Sequence, residues 1–431
     1  AMLAFMGLSS IGELFSAVPL ALRLAGGLDI EPGLSEPDVL ARFGQLAATN
    51  RPVGPDLVCF AGAGAYDHDV PAVVRRLAFR SEFVTAYTPY QPEVAQGVLQ
   101  ALFEYQTLVC RLSGMDVANA SLYDGASACV EAVNLAVAAT GRSEVWVSRG
   151  VHPHWREVIR TFAAGTGHDI REIPLATDGT TAWPAEGEAG AVLLQHPNYL
   201  GCIEDLAAAS AVATRAGALL AVAADPVAAG ILRPPATYGA DVVVGEGQPF
   251  GTPLSFGGPF LGTFACRLEQ VRRLPGRLVG ETVDVDGRRA YVTTLRTREQ
   301  DIRREKASSN VCTNQTLIAI AYAIHLGWVG TSGLRELALR CARGTRYARE
   351  AVLAIEGVEP ATTAPVLREF AVRLPIPAAE VVDRMAEEGF LAGVALGEEY
   401  GAPGGLLVAV TEKRTRDEVD AFVAALEKVV R

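Results

Sequence analysis

Through the middle of the chain, short apolar runs alternate with longer segments whose apolar positions recur at helical spacing. The runs "EVWVSRG", "AGAVLLQHP", "ALLAVAADP" and "GADVVVGEG" read as strands. Between them, "HPHWREVIRTFAAG" and "EDLAAASAVATRAG" read as helices, the second closed by Gly217. "ASLYDGASACVEAVNLAVAAT" reads as a short strand, a glycine turn and a helix. Strands without polar alternation are covered on both faces, and helices between them bring successive strands into parallel alignment. The pattern predicts an α/β fold on a buried, mostly parallel sheet.

On either side the pattern changes. "SSIGELFSAV" and "SEPDVLARFGQLAATN" each place serine ahead of an apolar stripe, which predicts a helical arm over residues 1–60 that packs on something else. A large domain follows over 61–325, with a helical stretch from about Ser309 to Glu356 leading out of it. The tail reads strand "LREFAVRLP", helix "PAAEVVDRMAEEG", strand "GLLVAVTE" and helix "TRDEVDAFVAALEKVV". This predicts a smaller α/β domain over 326–431, its last helix opened by a capping box of Thr415 and Glu418.

Composition narrows the function. A net charge of -11 argues against a sequence-independent nucleic-acid binder, which needs a basic surface. No run approaches the roughly 18 apolar residues of a membrane span, so no membrane association is expected. The first residues lack a basic stretch and carry Glu13, unlike a secretory signal. The seven cysteines are widely spaced without a C-x-x-C pair, as expected of reduced thiols in a cytoplasmic protein. Most informative are the lysines, only Lys306, Lys413 and Lys428. Any chemistry that needs a lysine Schiff base has few candidates.

Several motifs could carry chemistry. Gly62 and Gly64 in "LVCFAGAGAYD" hint at a dinucleotide fingerprint, but Asp67 stands at the third glycine position and a turn entering "VPAVVRRLAF" is the plainer reading. His152 and His154 lack further ligands at useful spacing, so no metal is expected; His68, His168 and His325 read as structural or surface residues. "YDGASACVEA" is more specific: a strand end, Gly125, and a helix opening on Ala126 and Ser127 make a natural phosphate cradle. His152, "QHPNYLGCIED", Asp225 at the end of an apolar strand, and a glycine-rich loop at Gln248 follow in that order. The order is similar to pyridoxal-phosphate enzymes of the aspartate-aminotransferase fold (fold type I), which run from phosphate turn to ring-stacking residue, Asp for the ring nitrogen and Schiff-base lysine.

The stretches "GAGAYDHDVPAVV", "RSEFVTAYTPYQPEVAQGVLQALFEYQ", "LSGMDVANASLYDGASACVEA", "HPNYLGCIED" and "IRREKASSNVCTNQ" go further. Over essentially its whole length the chain resembles the P-proteins of the glycine cleavage system, pyridoxal-phosphate glycine decarboxylases. It is most similar to the first, or alpha, subunit where the P-protein is split into two chains. The resemblance implies the aspartate-aminotransferase-like fold, with Gln248 in the lysine position and Gly125, Ser127, His152 and Asp225 as vestigial cofactor positions. Pro226 after Asp225 and the charge of Asp124 both depart from the family's cofactor-binding pattern.

The resemblance also implies that this chain has no catalytic residue of its own and is inactive alone. A beta subunit would bind the pyridoxal phosphate, within a heterotetramer that decarboxylates glycine and passes the aminomethyl group to the lipoyl arm of H-protein. Contributors to the partner's site are expected in "TAYTPYQPE" (Tyr87, Tyr90, Gln91) and "IRREKASSN" (Arg303, Arg304, Lys306, Asn310). Charges interleaved as in the second stretch also mark a solvated helix face. The alternative is a structural or carrier-docking subunit that gives no atoms to an active site.

Overall fold

The computed structural model describes the whole chain apart from Ala25, Pro55, Ser308, Gly401 and Ala402. It divides into two units, Ala1–Pro52 and Val53–Arg431. The longest helix of the first unit is Glu36–Ala47, started by Ser35, whose hydroxyl accepts the Asp38 N–H. "SSIGELFSAV" forms only the 3-10 turn Ile11–Phe15 instead of the expected helix. Gly12 weakens helix propensity and Pro19 ends the segment, so too few residues remain to offset nucleation. None of the described residues of this unit is buried; Phe5, Leu20 and Leu22 all face outward.

The second unit is organised by a seven-stranded sheet. Its strands are β1 (Val117–Ala118), β2 (Glu144–Ser148), β3 (Asp169–Ile173), β4 (Ala191–His196), β5 (Leu219–Ala224), β6 (Val242–Glu246) and β7 (Gly262–Cys266). They lie in the order β1-β7-β6-β5-β4-β2-β3. Strands β2 to β6 run parallel, whereas β7 pairs antiparallel with β6 and β1. The apolar pattern predicts β2, β4, β5 and β6. Edge strand β3 alternates exposed and half-buried positions, with only Ile173 buried, which weakens its apolar signal.

Period-two alternation sends β-strand side chains to two separate cores. Val192, Leu194, Leu220, Val222 and Val243 face helices Gln96–Ser113 and Leu206–Ala216. Ala191, Leu193, Ala221, Ala223, Val242 and Val244 face helices Gly125–Thr140 and Pro153–Thr166. Both faces are therefore dry, which explains the uninterrupted apolar runs.

The long helix Thr316–Val352 starts later than expected, because Asn314 and Gln315 instead bond the Ser121 hydroxyl. Its backbone leaves helical geometry at Gly330, and the expected boundary at 325/326 falls within it. Contrary to the expectation of no such run, this helix is long and apolar enough to cross a membrane by composition, with mean hydropathy 1.5 over its best window. Ile320, Tyr322, Leu326 and Ala338 bury its apolar face in the first core.

Toward the C-terminus, Glu369–Arg373 and Gly405–Ala409 form the centre of an antiparallel sheet. Helices Ala378–Glu387 and Arg416–Val430 pack on it around Phe370, Val408 and Phe422, and the Thr415–Glu418 capping box forms. Val58–Cys59 pairs in parallel with Phe390–Leu391, and the Phe60 ring stacks on Phe422 at 4.2 Å. The chain from Ala61 to Asp69 then meets both the C-terminal sheet and the strand ends of the large one.

Candidate functional site

Strands β2, β4, β5 and β6 carry their next residues to one edge of the sheet, where ligands of open α/β folds bind. Tyr66, His152, Trp155, Asn198, Asp225, Glu246, Arg368 and Glu369 line a cavity there of about 40 Å³. That is room for a water molecule or two. Three of the expected positions, His152, Asp225 and Gln248, meet at this edge, and Gly125 joins them through Glu246.

Gln248 is 1 % exposed and its side chain is fully engaged. Its Oε1 accepts the Tyr66 N–H at 3.0 Å, while Nε2 donates to the Tyr66 carbonyl at 3.1 Å and the Thr252 carbonyl at 2.8 Å. The amide thus mimics a β-ladder partner for Tyr66 and ties the Ala61–Asp69 loop to the loop after β6.

Glu246, at the end of β6, occupies the cradle. Its carboxylate accepts the N–H groups of Gly125 at 3.0 Å, Gln248 at 2.9 Å and Leu261 at 2.9 Å. Burial pushes its pKa up to about 7 against the pull of these three donors. Asp124 caps the same helix by accepting the Ser127 N–H at 2.7 Å. Trp155 lies so close over Gly125 that a Cβ there would come within 2.4 Å of the indole, so only glycine fits.

Asp225 is paired rather than free. Its Oδ2 meets Nη2 of Arg368 at 2.7 Å, and Oδ1 accepts the Val227 N–H at 2.9 Å. The Arg368 guanidinium lies 3.4 Å from the Tyr66 ring centroid and donates from Nη1 to Nε2 of His68 at 2.7 Å. His68 in turn donates from Nδ1 to Glu412 at 2.6 Å. His68, Glu412 and Cys341 are close enough to suggest a metal site. The imidazole nitrogen nearer Arg368 accepts from that cation, however, and Glu412 also takes the Asp69 N–H at 2.8 Å, so the group reads as an ion-pair chain. Burial opposes charge on Glu412, yet the His68 contact and the Asp69 N–H hold its pKa down to about 2.

Two more groups complete the wall. Glu369 accepts the Ala63 N–H and the Tyr66 hydroxyl, both at 2.6 Å, and burial raises its pKa. A Cβ on Gly62 would come within 2.4 Å of the Glu369 Oε1, which accounts for a glycine at that turn. His152 donates from Nε2 to the Ala63 carbonyl at 2.8 Å and accepts the His154 N–H on Nδ1 at 3.1 Å, so its ring is neutral. Burial lowers its pKa to about 4. One face of the ring is covered by Trp155, at 5.7 Å between centroids.

The second group of expected residues lies elsewhere on the surface. Tyr87, Tyr90, Gln91, Arg303, Arg304, Lys306 and Asn310 are all exposed. Tyr90 stands over Arg277, 5.2 Å from ring centroid to guanidinium carbon, beside a depression of about 80 Å³ lined also by Arg296, Gln300, Asp301 and Cys312. The main chain of Asn310 touches its rim by accepting from Gln300 at 3.2 Å. Arg303, Arg304 and Lys306 do not line it.

Sequence reasoning missed Glu246, Trp155, Arg368, Glu369 and Glu412. A signal exists for three of these positions: Arg368 and Glu369 are adjacent charges opening an apolar strand, and Glu246 ends another. Charges at such places are rarely buried unless paired.

Comparison with known proteins matches this geometry. The family model for the glycine cleavage system P-protein aligns with residues 1–426. The chain belongs to the P-protein family. The probable glycine dehydrogenase (decarboxylating) subunit 1 of Moorella thermoacetica is 48 % identical over 100 % of this chain and 97 % of its own length. The corresponding protein of Chlorobium chlorochromatii is 46 % identical over 99 % and 96 %. A crystal structure of glycine decarboxylase (P-protein) in inhibitor-bound form superposes with a TM-score of 0.94 at 45 % identity, over 99 % of this chain and 97 % of that one. The Escherichia coli cysteine desulfurase CsdA, at 17 % identity and TM-score 0.61 over 90 % and 98 %, shares the fold. The P-protein chain described here therefore has the predicted fold, and its name-bearing relatives are one subunit of a decarboxylating enzyme.

Proposed function

We propose that this chain is the alpha subunit of a two-chain glycine decarboxylase, lacks the Schiff-base lysine and holds no pyridoxal phosphate itself. In this reading the beta subunit carries the cofactor, and the heterotetramer decarboxylates glycine and delivers the aminomethyl group to the lipoyl group of H-protein. The observation that carries it is Gln248: an amide with no reactive amine, buried and fully hydrogen-bonded where the family's lysine would stand. Among the described residues no lysine lines the cavity. Lys413 is paired with Asp67 at 2.6 Å, Lys428 with Glu388 at 2.6 Å, and Lys306 is exposed. The pairing of Asp225 with Arg368 also supports this reading, because that carboxylate already has a cation as its partner. A cytoplasmic location is in keeping with seven free thiols.

Co-expression with the beta subunit tests the reading. Both chains are expected to co-purify, with glycine–bicarbonate exchange only when both are present. The isolated chain is expected to give no Schiff-base absorbance with pyridoxal phosphate; a band fixed by borohydride, or exchange by the chain alone, rejects the proposal. Tyr90→Ala in the complex separates a contributor from a scaffold. At least tenfold slower exchange with intact assembly supports contribution, and unchanged exchange supports a purely structural or carrier-docking subunit.

A further inference from the structure

We propose that the Glu246 carboxyl group occupies the phosphate station of this chain by taking up its backbone donors, so that the site lacks free phosphate donors as well as a Schiff-base lysine. The inference rests on the reading of Gln248 as the lysine position and goes beyond it by assigning the obstacle to a second residue. Three N–H donors from separate segments converge on this carboxylate: Gly125 at the start of a sixteen-residue helix, Gln248 in the loop after β6, and Leu261 before β7. A phosphate binds a helix start through the same kind of backbone donors. Glu246 arrives from within the protein, at the half-buried end of a strand whose other residues are buried. Trp155 seals the other side by lying against Gly125. Restoring an amine at position 248 therefore leaves the phosphate without these three donors.

The test uses the full chain and inorganic phosphate as probe. Glu246→Ser is expected to show a saturable rise in thermal midpoint with millimolar phosphate at constant ionic strength, absent from the parent chain. An equal rise in the parent, or none in the folded variant, overturns the proposal. Should Glu246→Ser not fold, Glu246→Gln keeps the shape and turns one accepting oxygen into a donor. Amide exchange at Gly125 or Leu261 is then expected to quicken by about tenfold or more, the loss of one net hydrogen bond; unchanged exchange overturns the proposal.

A second arm adds pyridoxal phosphate, then borohydride, and maps the adduct by mass. Gln248→Lys alone is expected to give no more adduct at position 248 with pyridoxal phosphate than with unphosphorylated pyridoxal. Gln248→Lys with Glu246→Ser is expected to favour the phosphorylated form at least tenfold. A phosphate-dependent adduct in Gln248→Lys alone refutes the role of Glu246 while leaving the reading of position 248 intact. An adduct on the unsubstituted chain refutes that reading itself.

Discussion

The cavity at Gln248 and the depression beside Tyr90 are opposites in construction. In the first, buried polar groups from distant parts of the chain satisfy one another and leave about 40 Å³. In the second, exposed Tyr90, Arg296 and Asp301 stand beside buried Arg277 around about 80 Å³, with Arg296 bonded to Asp301 at 2.7 Å. The contrast teaches that likeness to a cofactor site and availability for chemistry have come apart here. The residues that look like cofactor stations bond partners from distant parts of the chain, and the exposed group lies apart from them.

The largest expected effect is on Arg368. Arg368→Met removes the cation between Asp225 and His68 and leaves a buried carboxylate unpaired, a loss of ~3–5 kcal/mol in denaturant unfolding. Lys306→Ala, in the exposed group, is expected within ~0.5 kcal/mol of the parent. Similar losses for the two would break the comparison.

Next comes Gln248→Leu, which leaves the N–H and carbonyl of Tyr66 without their partner. About 1–3 kcal/mol of stability is expected to go, as measured by urea titration; no loss would make the loop after β6 a passive turn.

Acid sensitivity sharpens the contrast further. The folded pKa of His152 is about 4, below its ordinary value of 6.5, because burial disfavours the charged ring. The stability from keeping it neutral is present above pH 6.5 and is lost as pH falls toward 4, at up to ~1.4 kcal/mol per pH unit for one histidine. His152→Gln is expected to flatten that part of the profile. The same slope in both proteins would remove the histidine from the account.

The smallest effect concerns Glu131, on the Gly125–Thr140 helix, whose pKa burial raises to about 7 against contacts from Ser309 and Asn134. A carboxyl with a raised folded value contributes below its ordinary pKa of 4.5 and loses that contribution as pH rises through 7. Glu131→Gln is therefore expected to gain on the parent across that window in chemical denaturation. A parent that stays level with the variant there would argue against burial as the cause.

Much of this was legible along the chain. Four strands of the central sheet, the helices between them and the capping box at Thr415 follow from local periodicity and capping chemistry. The helix expected after Ser9 did not form, because a glycine and a proline interrupt it, and edge strand β3 was not legible because its outward positions are polar. The positions of Gly125, His152, Asp225 and Gln248 were also legible through their order, but not their partners. Tyr66 meets Gln248 across 182 residues, and Ala63 meets Glu369 across 306.

The sequence by itself determined the α/β fold, the absence of a lysine at position 248 and the anomaly of a glutamine in its place. Only the tertiary structure decided how the carboxylates at this edge are paired, Glu246 with three N–H groups and Asp225 with Arg368. Whether a carboxylate is a free catalyst or a buried counter-charge depends on which N–H groups and cations the fold brings within 3 Å of it. That is a long-range outcome, invisible to any local pattern around Glu246 or Asp225.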